Sequence, residues 1–328
     1  MITEPIIFVL GLASTFAVMP TIIKKMKEKQ IGGVDVHKKD RPFIPEMGGI
    51  AVLVGVTLSS LATILLAREK TSMLASFLGS VLIAGTVGAI DDLKTLNAKV
   101  KPVLTLLASA PILLLHSYYI YGPAFPLIGQ TRMTMVYPLL IPIAIAVTSN
   151  AVNMMDPFNG TMSGTCTITT LFLLLSAILL GRGDGLLLCL CLIGPLLAFY
   201  YFNRFPAKVF SGDVGSLSIG AALGAIAIIG RLEVVAVVAF APQIMNAFYG
   251  LATIGRLYEG RKVNRPVTVL DDGRLMATKD PKAPITLARM ILARGPLYEY
   301  EATRVFLVLS AISGVLAVLT AYLIVVAS

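Results

Sequence analysis

Asp91 and Asp92 stand side by side where the apolar run Leu78–Ile90 ends. Adjacent carboxylates at a membrane edge repel each other and resist dehydration, so a chain that keeps them there has a cation or a proton to handle. Lysines follow at Lys94, Lys99 and Lys101. The group reads either as a charged helix end with local pairs or as a place where a cation and a phosphate meet. Further on, Asn150 and Asn153 lie one helical turn apart, with Asp156 and Asn159 in the following turn. Amide and carboxylate oxygens suit a hard cation such as Mg²⁺, although buried amides also bridge helices. A third group, Ser211-Gly212-Asp213-Val214-Gly215-Ser216, opens an apolar run. Backbone N–H groups at a helix start bind phosphate and Asp213 could hold a metal; the alternative for Asp213 is an ordinary N-terminal cap.

Two more loops complete the inventory. One runs from Gly33 to Gly49 with Asp35, His37, Lys38, Arg41 and Glu46, stiffened by Pro42 and Pro45. Glu46 is equally suited to ligand binding and to a solvated helix cap. The other, Arg256 to Thr303, carries nine basic residues, Arg261, Lys262 and Arg265 among them. Such a loop first sets topology and attracts anionic lipid; binding a diphosphate comes after those. Leu270–Leu275 reads as a β-hairpin turn and Ile285–Leu292 as an amphipathic helix on the membrane surface. There is no G-x-x-x-x-G-K-[ST] loop and no basis for Ser-His-Asp chemistry. Oxygen ligands for Mg²⁺ beside cations for phosphate suit phosphoryl transfer, which is mainly positioning and charge neutralisation.

The elements that position these loops are helices in a bilayer. The chain is 56% hydrophobic and 14% charged, with mean hydropathy +0.85. That composition predicts an all-α polytopic membrane protein, residues 1–328 forming one catalytic bundle, and excludes separate soluble domains. A span needs about 20 apolar residues. Ten stretches qualify: 5–23, 48–66, 72–90, 102–120, 136–153, 163–180, 185–202, 214–230, 234–254 and 304–326. The first reads as an uncleaved span with its N-terminus outside. On that threading, 22 of the 27 Lys and Arg and 14 of the 18 Asp and Glu fall on one face. The basic excess makes that face cytoplasmic and leaves both termini outside. It also points to membrane lipid rather than nucleic acid. Cys166, Cys189 and Cys191 lie in apolar runs with no metal-ligand spacing, so neither disulfide nor zinc is expected.

The loops together carry a resemblance. The first follows G-x-D-x-x-K-x-x-R-x-x-I-P-E-x-x-G and the second D-D-x-x-x-L-x-x-x-x-K. The third follows N-A-x-N-x-x-x-x-x-N-G and the fourth F-x-G-D. In this order the chain resembles the polyprenyl-phosphate N-acetylhexosamine-1-phosphate transferases. Gly273-Arg274-Leu275, Thr286-Leu287 and Gly295-Pro296-Leu297-Tyr298-Glu299 bring it nearest the UDP-GlcNAc–dolichyl-phosphate GlcNAc-1-phosphotransferases, with an archaeal look. The bacterial phospho-MurNAc-pentapeptide transferases carry a triple-histidine motif in the last loop, which here has no histidine.

The resemblance implies transfer of GlcNAc-1-phosphate from UDP-GlcNAc to a dolichyl or polyprenyl phosphate, with release of UMP. It implies Mg²⁺, or Mn²⁺, on Asn153 and Asp213. Lys101 would contact phosphate, with Asp91 and Asp92 beside the attacking phosphate as positioning groups or as a base. Glu46 and Asn159 would meet the uridine, and Lys262 and Arg265 the diphosphate and sugar. A homodimer is implied on the same ground. The competing expectations are another UDP-N-acetyl sugar and, more distantly, an ion-coupled secondary transporter.

Overall fold

The computed structural model describes residues 3–255 and 263–327. Its apolar stretches are helical because hydrocarbon offers backbone N–H and C=O groups no partner outside the segment. The long helices are α1 (Thr3–Glu28), α2 (Gly49–Leu66) and α3 (Thr71–Lys94). After two short helices, α4 (Val100–Leu106) and α5 (Ala110–Leu114), come α6 (Tyr137–Met154), α7 (Thr161–Leu179), α8 (Gly183–Asn203) and α9 (Gly212–Ile229). Then follow α10 (Glu233–Ala239), α11 (Ala241–Ile254), α12 (Leu287–Leu292) and α13 (Glu299–Ala327). Among the described residues eight helices are long and apolar enough to cross a membrane; α10 and α11 make a ninth span, bent by 66° at Phe240. Pro242, in the first turn of α11, has no N–H to continue the ladder across that break.

The expected span 102–120 is the departure. Its helical part stops at Leu114 and tightens into a 3₁₀ turn at Leu107–Ser109. Fifteen residues rise about 22 Å, short of the ~30 Å hydrocarbon core. The segment nevertheless leads from one end of α3 to the other. Lys101 Nζ reaches Asp91 near the α3 C-terminus, and Ser117 accepts a 2.7 Å hydrogen bond from Ser76 near its start.

The centre of the bundle is α9, sixteen of whose eighteen residues are buried. It packs against α3 and α6 through small residues that let backbones approach. A side chain at Gly88 of α3 would strike the Asp213 carbonyl, and one at Gly49 of α2 would strike the Gly215 backbone. These contacts seat the first turn of α9 between the last turn of α3 and the start of α2. Cys166, Cys189 and Cys191 are buried free thiols.

Among the described residues three two-stranded antiparallel hairpins decorate the bundle: β1–β2 (Gly32–Val34, Phe43–Pro45), β3–β4 (Ala124–Phe125, Gly129–Gln130) and β5–β6 (Val267–Val269, Leu275–Ala277). The turn expected at Leu270–Leu275 is the β5–β6 turn. The helix expected over Ile285–Leu292 forms as α12, capped by the Thr286 hydroxyl, which accepts from Arg289 N at 3.2 Å. It does not lie with its apolar face on lipid. Leu287, Ala288 and Leu292 are buried in a second core with Met155, Phe158, Val267, Leu275 and Phe306. The last loop is thereby fastened over the third.

Candidate active site

The two aspartates have different partners. Asp91 accepts from Lys101 Nζ at 2.9 Å and from the Leu96 backbone. Lys101 also pairs with Asp213, so one ammonium links α3, α4 and α9. Asp92 accepts from the backbone N–H groups of Asp213 at 2.7 Å and Val214 at 3.0 Å. It therefore caps the N-terminus of α9 from a neighbouring helix, where a carboxylate meets unpaired donors and the positive end of the dipole. Gly212 makes this possible. Its φ is +65°, and a side chain there would come within 2.5 Å of the Asp92 carboxylate.

Asn153 and Asp213 meet. Asn153 Nδ2 donates to Asp213 Oδ1 at 2.6 Å and to Ser216 Oγ at 2.7 Å. With the nitrogen turned to protein, the amide oxygen is the atom left for a ligand. Oxygens of Asp213 and Asn153 are donors that fit a hard divalent cation. Asn150 does something else. Its Nδ2 donates to Ala146 O at 2.7 Å and to Thr105 Oγ1 at 3.0 Å, bridging α6 to α4. Asp156 accepts from Ser211 Oγ at 2.8 Å and ties the third loop to the fourth. Burial pushes its carboxyl up to about 6.

A second group surrounds Asn159, which is buried. Its Nδ2 donates to Asp35 Oδ2 at 3.1 Å and Glu299 Oε1 at 2.5 Å. Its Oδ1 accepts from Ala207 N at 2.6 Å and Lys38 Nζ at 3.3 Å. Glu46, beside Gly33, lines the same cavity. Asp35, His37 and Glu299 lie close enough to share a metal, within 4.8 Å of one another. The Lys38 ammonium on Asp35 and the Asn159 amide on both carboxylates supply donors to that pair, while Glu299 Oε2 is buried without a hydrogen-bond partner. Burial holds the His37 imidazole down at about 4, opposed by Asp35 and assisted by the cations Arg265 and Lys38.

That influence places Arg265, which is exposed, near His37. Lys262 lies outside the described residues. Two other cations of the last loop serve its own fold. Arg274 pairs with Asp272 in the hairpin turn at 2.6 Å, and Arg289 donates to the carbonyls of Ala283 and Asp280. The loop is pinned by Asn246 of α11, which donates to Met154 O at 2.8 Å and accepts from Leu287 N at 2.9 Å.

Many of the groups above line one cavity of about 790 Å³. Asp91, Asp92, Lys101, Asn153 and Asp213 line it together with Glu46 and Asn159, and Val147 and Leu251 add apolar surface. The volume is within the range of small-molecule sites.

Residues 74–231 match the family described as glycosyl transferase family 4. A protein of Saccharolobus solfataricus, provisionally named a UDP-N-acetylglucosamine–dolichyl-phosphate N-acetylglucosaminephosphotransferase, is 30% identical over 91% of this chain and 90% of its own. A provisionally named glycosyltransferase of Methanocaldococcus jannaschii is 28% identical over the same shares. The phospho-N-acetylmuramoyl-pentapeptide-transferase of Desulfotalea psychrophila is 31% identical over 74% of this chain and 77% of its own. The chain belongs to glycosyl transferase family 4.

This family 4 transferase is a multi-pass membrane enzyme. Several residues of its site were not singled out from sequence. Asp35, Lys38 and Glu299 all stand inside the motifs quoted above, but nothing local distinguishes them from solvated loop charges. Ser216 and Asn246 are polar residues in apolar runs. That is a usable signal, since a polar side chain in a membrane helix needs a partner.

Proposed function

We propose that this enzyme transfers GlcNAc-1-phosphate from UDP-GlcNAc to a dolichyl or polyprenyl phosphate, releasing UMP, as the first membrane step of lipid-linked oligosaccharide assembly. The observation that carries the reading is the junction of Asp91, Lys101, Asp213 and Asn153 in the cavity at the ends of the membrane helices. The names of the relatives support the sugar nucleotide and the lipid.

A phosphate oxygen of the lipid attacks the β-phosphorus; the bond to the α-phosphate oxygen breaks, and UMP leaves with that electron pair. Asp213 and Asn153 would hold Mg²⁺, which when bound neutralises charge on the diphosphate. Lys101, released from its carboxylates, contacts phosphate. Asp91 faces the acceptor, and Asp92 keeps Asp213 in place by capping α9. A lipid phosphate is already anionic near neutral pH, so positioning is the first role of Asp91 and proton transfer the second. Glu46 and Asn159 receive the uridine, and Arg265 with Lys262 the diphosphate and sugar. The site faces the cytoplasm and both termini lie outside, because threading the sequence through its apolar runs puts 22 of 27 Lys and Arg on the face that carries the motif loops.

The test is UMP release by the purified chain with Mg²⁺, a polyprenyl phosphate and a panel of UDP-sugars. Release with UDP-GlcNAc ahead of the others is the expected result. Release with a different UDP-N-acetyl sugar would keep the chemistry and change the substrate. No release with any of them would overturn the reading. Ion-coupled transport is the weaker reading, since the acids collect at helix ends rather than near the midplane.

A further inference from the structure

Every hydrogen-bonding position of the Asn159 side chain is taken. Its two N–H groups go to Asp35 and Glu299, and its oxygen takes Ala207 N and Lys38 Nζ. The amide cannot turn over without loss. Carboxylates can accept but not donate, and a backbone N–H donates, so nitrogen must face the acids and oxygen must face Ala207. Glu299 does most to hold it. The same Oε1 also accepts from the Asn159 backbone N at 2.8 Å, and the Thr303 hydroxyl one turn further along α13 donates to the Asn159 carbonyl at 3.3 Å. The last membrane helix thus grips the third loop at three points.

One of the four positions is replaceable. Ala207 N is main chain, and Asp35 and Glu299 are buried. Lys38 is a half-buried flexible side chain whose bond to Asn159 is the longest of the set, at 3.3 Å. A ligand that meets Asn159 must take the place of that ammonium on the amide oxygen, so it must bring a donor. A nucleobase imide fits: uracil offers an N3–H between two carbonyls, one of which the displaced Lys38 can reach.

We infer that Glu299 is a positioning residue that fixes the Asn159 amide as an acceptor for the N3–H of the uracil ring, with Lys38 as the exchangeable group. The inference rests on the reading of the substrate as a UDP-sugar. It assigns Glu299 no contact with substrate.

The test uses the full chain in nanodiscs, with UMP and N3-methyl-UMP as competing ligands and UMP release as the activity. Wild type is expected to bind N3-methyl-UMP at least about tenfold more weakly than UMP, the loss of one hydrogen bond at a buried amide. In Glu299→Ala the amide is freed, and this penalty should shrink to about threefold or less. The KM for the UDP-sugar should rise about tenfold while kcat stays within about twofold. Glu299→Gln keeps the accepting Oε1 and should restore both the penalty and KM, which a role in charge or fold alone would not predict. Equal binding of the two nucleotides by wild type overturns the inference, and needs no variant to fold. So does an unchanged penalty in a folded Glu299→Ala, or a Glu299→Gln that behaves like Glu299→Ala. If wild type turns over UDP-sugar but ignores the N3 methyl, this inference alone falls. If it turns over no UDP-sugar, the substrate reading falls with it.

Discussion

Polar side chains gather at both ends of the bundle. At the end away from the site, Tyr137 donates to Glu233, and Arg231 stacks over the Tyr119 ring at 3.7 Å while donating to Gln130 of β4 at 3.4 Å. Arg182 is close enough to add its charge. One acid there is faced by two cations and a phenol, and the cluster fastens the β3–β4 hairpin to the helix ends. At the site end the balance is reversed. Asp91 and Asp213 share one Lys101, Asp92 rests on backbone N–H groups, and the three acids line a cavity of about 790 Å³. In the first cluster the acid has cations to spare, as a structural clamp should. The second keeps a surplus of negative charge, which is tolerable where a cation and a substrate will complete it.

The contrast can be broken by mutation. The largest effect is expected from Asp213→Ala, which should lower UMP release by roughly 10²–10³ or more. Thermal unfolding of that variant should stay near wild type, because the carboxylate is part of a surplus. Activity within tenfold of wild type would remove Asp213 from the site. Next comes pH. His37 stays neutral in the fold down to about 4, whereas in the unfolded chain it titrates near 6.5. The unfolded state therefore gains a proton first as pH falls, and stability drains away between about 6.5 and 4 by up to about 3 kcal/mol, then levels off. Subtracting the pH profile of His37→Gln isolates this slope; identical profiles would refute it.

The aspartate pair should then separate. Asp92→Ala removes a helix cap and should cost about 1–2 kcal/mol of stability along with activity. Asp91→Ala should cost activity, about tenfold or more, without destabilising the fold. Equal melting temperatures for the two would erase the distinction. The smallest effect belongs to the other end: Tyr137→Phe should lose about 1 kcal/mol of stability and leave UMP release unchanged.

Much of this was legible in the sequence, and the reason differs by element. Long apolar runs become helices in any fold, so eight of the expected spans stand and 234–254 survives with a bend. The run 102–120 misled because apolar count alone cannot see that helical backbone stops at Leu114. The loops pointed to a cation site because carboxylates, amides and glycines recur at helix ends. They could not say that Asn150 bridges to Thr105 while Asn153, one turn on, meets Asp213. Nor could they separate Asp91 from Asp92, which are chemically identical neighbours. The difference appears where α9 presents two unpaired N–H groups to one and α4 presents an ammonium to the other.

The sequence by itself determined a membrane-embedded helical enzyme with its charge at one end. Hydropathy and charge act on each segment separately, so they can be summed along the chain. Only the tertiary structure decided which acid caps a helix, which faces Lys101, and that Glu299 of the last helix holds an asparagine 140 residues earlier. Those outcomes depend on which helix ends are brought within about 3 Å of one another, and close approach at Gly88, Gly49 and Gly212 sets that distance.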